Sequence, residues 1–452
     1  MKRLILGIFL LMLNLNVCFA DVIEDRQRRY KEILVENVKI GEPGVAVIVS
    51  KKGKVIFQGA HGLANLEHNI PLTANSVFRL GSITKQFTAA AIMMLQEQGK
   101  LSLTDNIHKY APDFPTEGSD VTIEHLLTHT SGIANYTEDE EIFAKEIRLP
   151  TTIDDMLIRF AKHPMKFKPG EQMRYSNTGY VLLGKIIEVA SGQSYADFID
   201  ENIFKKIGMK SSYYGGSKVI PNRANGYDTS PDGVVNATYI DMMWPHAAGA
   251  LLSTVTDLDI WFKALRDGEV LSKESYQKMI EPFKLNDDSM SNYGYGLGIG
   301  KLNEYDMVAH SGGIPGFTTD AFYIPSEDLY IAVLSNLSSR NPSLISKLLA
   351  AEVLDIPVPK FKSVELDESK VKGLLGSYKI DENSVRTLSL EDGIFYSQRS
   401  GGPKYEIIPM SENSFYFENT LTYMVIEQDK NGKQVMSFYN DLAVKPQQAV
   451  KL

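Results

Sequence analysis

Three short stretches of this chain carry residue types that could break an acyl bond. Ser82-Ile83-Thr84-Lys85 sets a hydroxyl and an ammonium three residues apart, directly after Gly81, at the head of a run rich in Ala, Met, Leu and Gln that stops at Gly99. On a helix that spacing puts both groups on one face, one turn apart, where the positive end of the helix dipole favours a developing negative charge. A serine hydroxyl is a weak nucleophile until a base takes its proton, and a lysine kept partly neutral by burial can be that base. The tetrapeptide alone decides little. Ser275 to Lys278 and Ser369 to Lys372 match it too, and a serine N-cap followed by a solvated lysine explains it equally.

Tyr175-Ser176-Asn177 is the only Y-x-N among 22 tyrosines, and it follows Lys168-Pro169-Gly170-Glu171 and precedes a helical pattern. A phenol near an ammonium can relay a proton to a leaving group, and the Asn177 amide can both donate to and accept from a substrate amide. A turn before a helix accounts for the same residues. His310-Ser311-Gly312-Gly313 ends a strand-like run and is followed by Ile314-Pro315-Gly316-Phe317. Backbone bare of side chains at two glycines can approach a substrate and donate an N–H to an oxyanion; a glycine-rich hairpin with a structural histidine is the alternative.

In this order the motifs resemble the serine β-lactamase and penicillin-binding-protein superfamily, in the branch of class C β-lactamases, D-alanyl-D-alanine carboxypeptidases and related esterases and D-aminopeptidases. The likeness extends through Phe78–Lys85, Gly99–Asp105, Ile123–Gly132, Lys168–Leu183, Ser253–Leu258 and His310–Asn336. It implies an α/β (α+β) fold of the β-lactamase/transpeptidase type: an antiparallel sheet flanked by helices, with a helical subdomain. By position it makes Ser82 the acylated nucleophile, Lys85 the nearby base or proton relay, and Tyr175 the group serving the leaving group. Which of Lys85 and Tyr175 is the base in acylation stays open. Asn177 would meet the substrate amide, His310, Ser311 and Gly312 would line the opposite wall, and the backbone N–H groups of Ser82 and Gly313 would form the oxyanion hole. No cofactor is implied. The expected function is an exported serine hydrolase acting on D-amino-acid peptides, small esters or β-lactams; the rival is a catalytically silent penicillin-binding or scaffold protein of the same fold.

Two positions depart from the family pattern. The β-lactamases carry K-T-G where this chain has His310-Ser311-Gly312. A lysine is charged at pH 7 while a histidine is mostly neutral, so recognition of a substrate carboxylate, and with it efficient β-lactam turnover, should weaken. Ala250 stands where a second glycine is more usual, and either narrows the cleft or does nothing. His125 and His129 have a spacing that can hold zinc on a helix, but with no third ligand and no intervening Glu no metal is implied. Tyr293-Gly294-Tyr295-Gly296 reads as a turn near the cleft rim.

The elements that must position these residues are legible in outline. Gly44 to Ser50 and Val55 to Ala60 read as a hairpin joined at Lys51-Lys52-Gly53-Lys54, and Met307 to Ala309, Phe317 to Ile324 and Leu329 to Ser335 read as three later strands. That pattern suggests one antiparallel sheet built from both ends of a domain. Helices are expected over Thr84 to Gln98, Gly179 to Ala190 and Thr256 to Leu265. Ile356-Pro357-Val358-Pro359-Lys360 cannot continue a helix, so the domain of residues 21–356 should end there, with a linker at 357–360. From 361 to 452, seven short strand-like runs predict a small all-β domain, a barrel or sandwich. It resembles the lipocalin-like domain appended to some family members.

Composition bounds the rest. The 452 residues are 43% hydrophobic and 23% charged, enough for a large packed core without disulfide or metal. A net charge of -9 with no basic runs argues against nucleic acid. Small-molecule or peptide substrates are the expected partners, and oligomeric state is left open. Lys2 and Arg3 before the apolar run Leu4 to Leu13, then Val17-Cys18-Phe19-Ala20, predict a cleavable leader over residues 1–20 and a periplasmic or secreted location. Cys18 suits lipidation poorly because Val17 precedes it. Cleavage would remove the only cysteine, excluding thiol chemistry, and the loss of Lys2 and Arg3 would take -9 to -11.

Overall fold

The computed structural model describes residues 24–366 and 368–452, so the expected leader and Cys18 lie outside the described residues. The chain divides into two compact units, one of residues up to Gly300 with Met307–Glu352, the other of Lys301–Asp306 with Val353–Leu452.

In the first unit a helix at 24–37 leads into β1 (Val45–Lys51) and β2 (Lys54–His61). Their hairpin closes through Lys52 and Gly53, both with positive φ, the twist a two-residue turn needs. The later strands are β3 (Gly298–Leu302), β4 (Tyr305–Ile314), β5 (Phe317–Ile324) and β6 (Leu329–Ser335). The sheet order is β3-β4-β5-β6-β1-β2, with Val45 opposite Ser335. Both ends of the domain therefore meet in one sheet, as the sequence predicts. β4 is longer than expected: it continues through His310, Ser311 and both glycines, so the His-Ser-Gly-Gly stretch is strand and not the approach to a turn.

Helix α1 (Thr84–Glu97) is buried on every side from Thr84 to Leu95, the condition of a helix running through a core. It packs on α2 (Asn177–Ser191), which ends at Gly192 in the left-handed conformation. Helix α3 (Val255–Asp267) covers β6 and β1.

In the second unit, eight antiparallel strands, β7 (Gly376–Lys379), β8 (Val385–Glu391), β9 (Ile394–Arg399), β10 (Lys404–Ser411), β11 (Ser414–Tyr416), β12 (Tyr423–Gln428), β13 (Gln434–Tyr439) and β14 (Gln447–Lys451), form a closed barrel. The closing strand β14 reads QQAVK, too polar to be seen as a strand, and pairs Lys451 with Tyr378. Inward residues such as Tyr378, Leu388, Phe415, Met424 and Met436 fill the interior. No helix of the described residues is long and apolar enough to cross a membrane.

Candidate active site

Ser82 is delivered by a sharp turn. Phe78 and Arg79 pair with Ser253 and Leu252, and the Leu80 N–H donates to the Leu251 carbonyl at 2.9 Å. The chain then reverses at Gly81 (φ +55°) into the single turn Gly81–Ile83, which feeds α1. Glycine is needed twice over at Gly81: for the left-handed φ, and because a Cβ there would stand 2.9 Å from the Gly313 nitrogen. Ser82 emerges half-buried at the head of α1.

Lys85 lies one turn on and is fully buried. Its Nζ stands 3.1 Å from Ser82 Oγ, 2.8 Å from Asn177 Oδ1 and 2.8 Å from the Ala248 carbonyl oxygen. Asn177 is held in that orientation because its amide nitrogen donates to Thr137 Oγ1 (3.3 Å) and its backbone N–H to Asn135 Oδ1 (3.0 Å). With no carboxylate beside it, the ammonium loses hydration without compensation, and burial pulls its pKa well below 10.5. Asn177 Oδ1 and the Ala248 carbonyl can only accept. In the neutral amine they occupy both N–H groups, so the lone pair faces Ser82 Oγ and can accept the serine proton.

Tyr175 closes the other side. Its ring centroid is 4.8 Å from Lys85 Nζ, and its buried phenol oxygen has no partner of standard hydrogen-bond geometry. Burial raises its pKa above 10, while the nearby Ser82 hydroxyl opposes that shift more weakly. The phenol therefore keeps its proton through neutral pH and can donate it.

An aromatic and imidazole wall stands behind this trio. Tyr293 donates its hydroxyl to His310 Nε2 (2.8 Å), and His310 Nδ1 donates to the Ser311 carbonyl (2.6 Å), which fixes a neutral ring with its proton on Nδ1. His310 packs 6.2 Å from Tyr175, and the Tyr293 ring lies 4.7 Å from that of His129. The sequence reading puts Tyr293 at the rim, whereas it is buried inside the site. The glycines beside it are the reason, since a Cβ at Gly296 would collide with the Lys85 carbonyl. His129 also belongs here: its Nδ1 accepts from the Ser176 N–H at 3.1 Å and its ring lies 4.1 Å from Tyr175. His125 faces elsewhere, with Nδ1 capping the helix Ile123–Leu127 through the Thr122 N–H. Among the described residues no cluster of three metal-ligating side chains exists.

β4 forms the opposite wall. A Cβ at Gly312 would collide with the Leu80 carbonyl and come within 3.0 Å of the Ser82 nitrogen, so strand and nucleophile turn touch backbone to backbone. Ser311 and Gly313 are exposed on this edge. From Gly313 a cavity of about 430 Å³ runs past Ile314 and Pro315 to Phe143, Ile147 and Ser338. Ala250 is fully buried and does not line the cleft; its carbonyl accepts from the Gly215 N–H at 2.8 Å. The structure thus brings Ser82, Lys85, Tyr175, Asn177, His310, Ser311, Gly312 and Gly313 to one cleft. Asn135, Thr137, His129 and Tyr293 are the neighbours that sequence reasoning missed. Only the glycines around Tyr293 were a usable signal.

The buried imidazoles carry a consequence for acid stability. Burial lowers His310 to about 3, with the charge of Lys85 adding to it, and burial lowers His246 to about 3 as well. His129 shifts in the same direction. Between about pH 6.5 and 3 the unfolded chain binds protons that the folded one refuses, so stability falls as pH falls. At pH 5 His246 and His310 each cost of the order of 2 kcal/mol relative to pH 7. Urea midpoints measured from pH 7 to 5 should decline, and a His246→Asn variant should decline less steeply; parallel curves would refute the assignment.

The family described as Beta-lactamase matches residues 20–354. Penicillin-binding protein 4* of Bacillus subtilis (strain 168) is 31% identical over 397 residues, 82% of this chain and 87% of that protein. An octameric penicillin-binding protein homologue from Pyrococcus abyssi superposes with a TM-score of 0.67 at 30% identity, covering 95% of this chain and 100% of the other. A D-stereospecific amidohydrolase from Streptomyces sp. gives 0.63 at 26% identity, over 73% of this chain and 99% of that one.

Proposed function

This chain belongs to the beta-lactamase family, and from that premise we propose that it is an exported serine hydrolase that opens amide or ester bonds of D-amino-acid compounds through an acyl-enzyme on Ser82. The observation that carries the reading is the Lys85 amine, 3.1 Å from Ser82 Oγ with its other two contacts both carbonyl oxygens. In acylation, Ser82 Oγ bonds to the substrate carbonyl carbon as its proton passes to Lys85 Nζ. The carbonyl oxygen becomes an oxyanion facing the N–H groups of Ser82 and Gly313. As the bond to the leaving group breaks, Tyr175 gives that group its proton and recovers one from Lys85. Water then repeats the sequence on the acyl ester, releasing the acid and restoring Ser82.

The preference for D-configured substrates rests on the amidohydrolase relative, whose name specifies that stereochemistry. β-Lactams are expected to acylate slowly and turn over poorly, because the wall carries neutral His310 where a lysine would be charged. The test compares D- and L-alanine p-nitroanilide with purified protein lacking residues 1–20. The D isomer should be cleaved at least about tenfold faster, with the acylated peptide containing Ser82 recovered by mass spectrometry after a quench. Equal rates for the two isomers would remove the D-amino-acid assignment while leaving the hydrolase in place.

A further inference from the structure

Three residues before the nucleophile, Arg79 is half-buried without a carboxylate partner among the described residues; its guanidinium carbon lies 5.8 Å from the Phe317 ring centroid. Burying a cation without an acid costs stability, and folds seldom leave such a group idle. A second arginine is set beside it by backbone pairing: Val77 bridges Arg223, with the Val77 N–H on the Asn222 carbonyl (2.9 Å) and the Ala224 N–H on the Val77 carbonyl (3.0 Å). Arg223 is exposed and also has no carboxylate partner among the described residues. Both line one recess of about 170 Å³, with Asn225, Asn236 and Tyr239. Burial, and then the charge of Arg223, lower the pKa of Arg79 from 12.5, a sign that the two cations repel.

The nearby acids are engaged elsewhere. Glu67 accepts the Tyr227 hydroxyl at 2.6 Å, and Asp228 accepts the Thr238 N–H at 3.2 Å and the Ser338 hydroxyl. The recess shares Thr238, Pro315 and Phe317 with the larger cavity that begins at Gly313. A group bonded to Ser82 and lying along Ile314 and Pro315 therefore points toward two unneutralised guanidiniums.

We propose that Arg79 and Arg223 form a carboxylate-binding subsite, so that the enzyme selects acyl donors whose far end carries a carboxylate. This deepens the acyl-enzyme reading and rests on it. Each guanidinium offers a planar fork suited to a carboxylate, a positive charge that the neutral His310 does not supply.

The test uses mono-p-nitrophenyl glutarate and its methyl ester, which differ only in that charge. The wild type should show a KM about tenfold lower for the acid, the worth of one charge-assisted hydrogen bond. Arg223→Gln, at an exposed position where folding is not at stake, should raise KM for the acid far more than for the methyl ester; Arg79→Gln should do the same. Equal KM values for the two esters in the wild type, or equal changes in Arg223→Gln, would overturn the subsite while the hydrolase stands. If neither ester is cleaved, the acyl-enzyme reading is judged by D-alanine p-nitroanilide instead. The subsite is then judged by glutarate alone: a rise in melting temperature in wild type that is absent in Arg223→Gln supports it, and no rise overturns it.

Discussion

Ser82→Ala protein is expected to fold normally and to hydrolyse p-nitrophenyl acetate at least about ten-thousand-fold more slowly than wild type, the scale seen when an acylated nucleophile is removed. The fold should tolerate the change because Ser82 caps nothing: the turn Gly81–Ile83 has no side-chain capping bond, and the hydroxyl accepts from Lys85 Nζ. Loss of the hydroxyl also leaves Lys85 with both carbonyl acceptors, so no buried donor is stranded. Covalent labelling by a fluorescent penicillin or a fluorophosphonate should vanish with it. Hydrolysis or labelling that persists in the alanine variant would falsify the role given to Ser82. A wild type no faster than the variant identifies a silent scaffold instead.

Lys85→Met should match that loss of rate to within about tenfold, because a serine whose proton has no acceptor is as inert as an alanine. Methionine fills a similar volume in the fully buried position and removes the desolvation cost of the amine. It also leaves Asn177 Oδ1 and the Ala248 carbonyl without their donor, each omission costing about 1–3 kcal/mol. Circular dichroism and melting curves separate the two effects. The wild-type pH profile tests the same assignment. Activity should climb with pH as Lys85 gives up its proton, on a limb lying well below 10.5. It should not fall again near pH 10, since burial keeps the Tyr175 phenol protonated beyond that point. The linkage has a definite sign: from the lowered folded pKa up to 10.5 the unfolded chain holds the extra proton, so this group makes stability rise with pH. An activity limb at the ordinary lysine value, or Lys85→Met turnover near wild type, would transfer the base role elsewhere.

The resemblance in the sequence reached the fold and the family, and the reason lies in how local the signals were. Helices α1 and α2 announce themselves through helical spacing and a terminating glycine, at Gly99 and Gly192. Hairpin β1–β2 does so through its β-branched runs and turn. Strand β3 and the far half of β4 were hidden because glycines replace the side chains that would have shown alternation. Among them Gly312 exists for a contact with Leu80 and Ser82 that no local window contains. Tyr293, Asn135 and Thr137 were hidden for a related reason: each acts on the site through hydrogen bonds or ring contacts to residues far along the chain.

The pairing of Val45 with Ser335 sets an order of events. β1 cannot gain its β6 neighbour until roughly 290 further residues have been made, and closing so long a loop slows folding more than it weakens the product. Until β6 arrives, β5 lacks its inner support, and β4, which brings Gly312 and Gly313 against the serine turn, hangs on β5. A growing or prematurely ended polypeptide therefore already owns Ser82, Lys85 and Tyr175 yet lacks the β4 backbone that meets the serine turn.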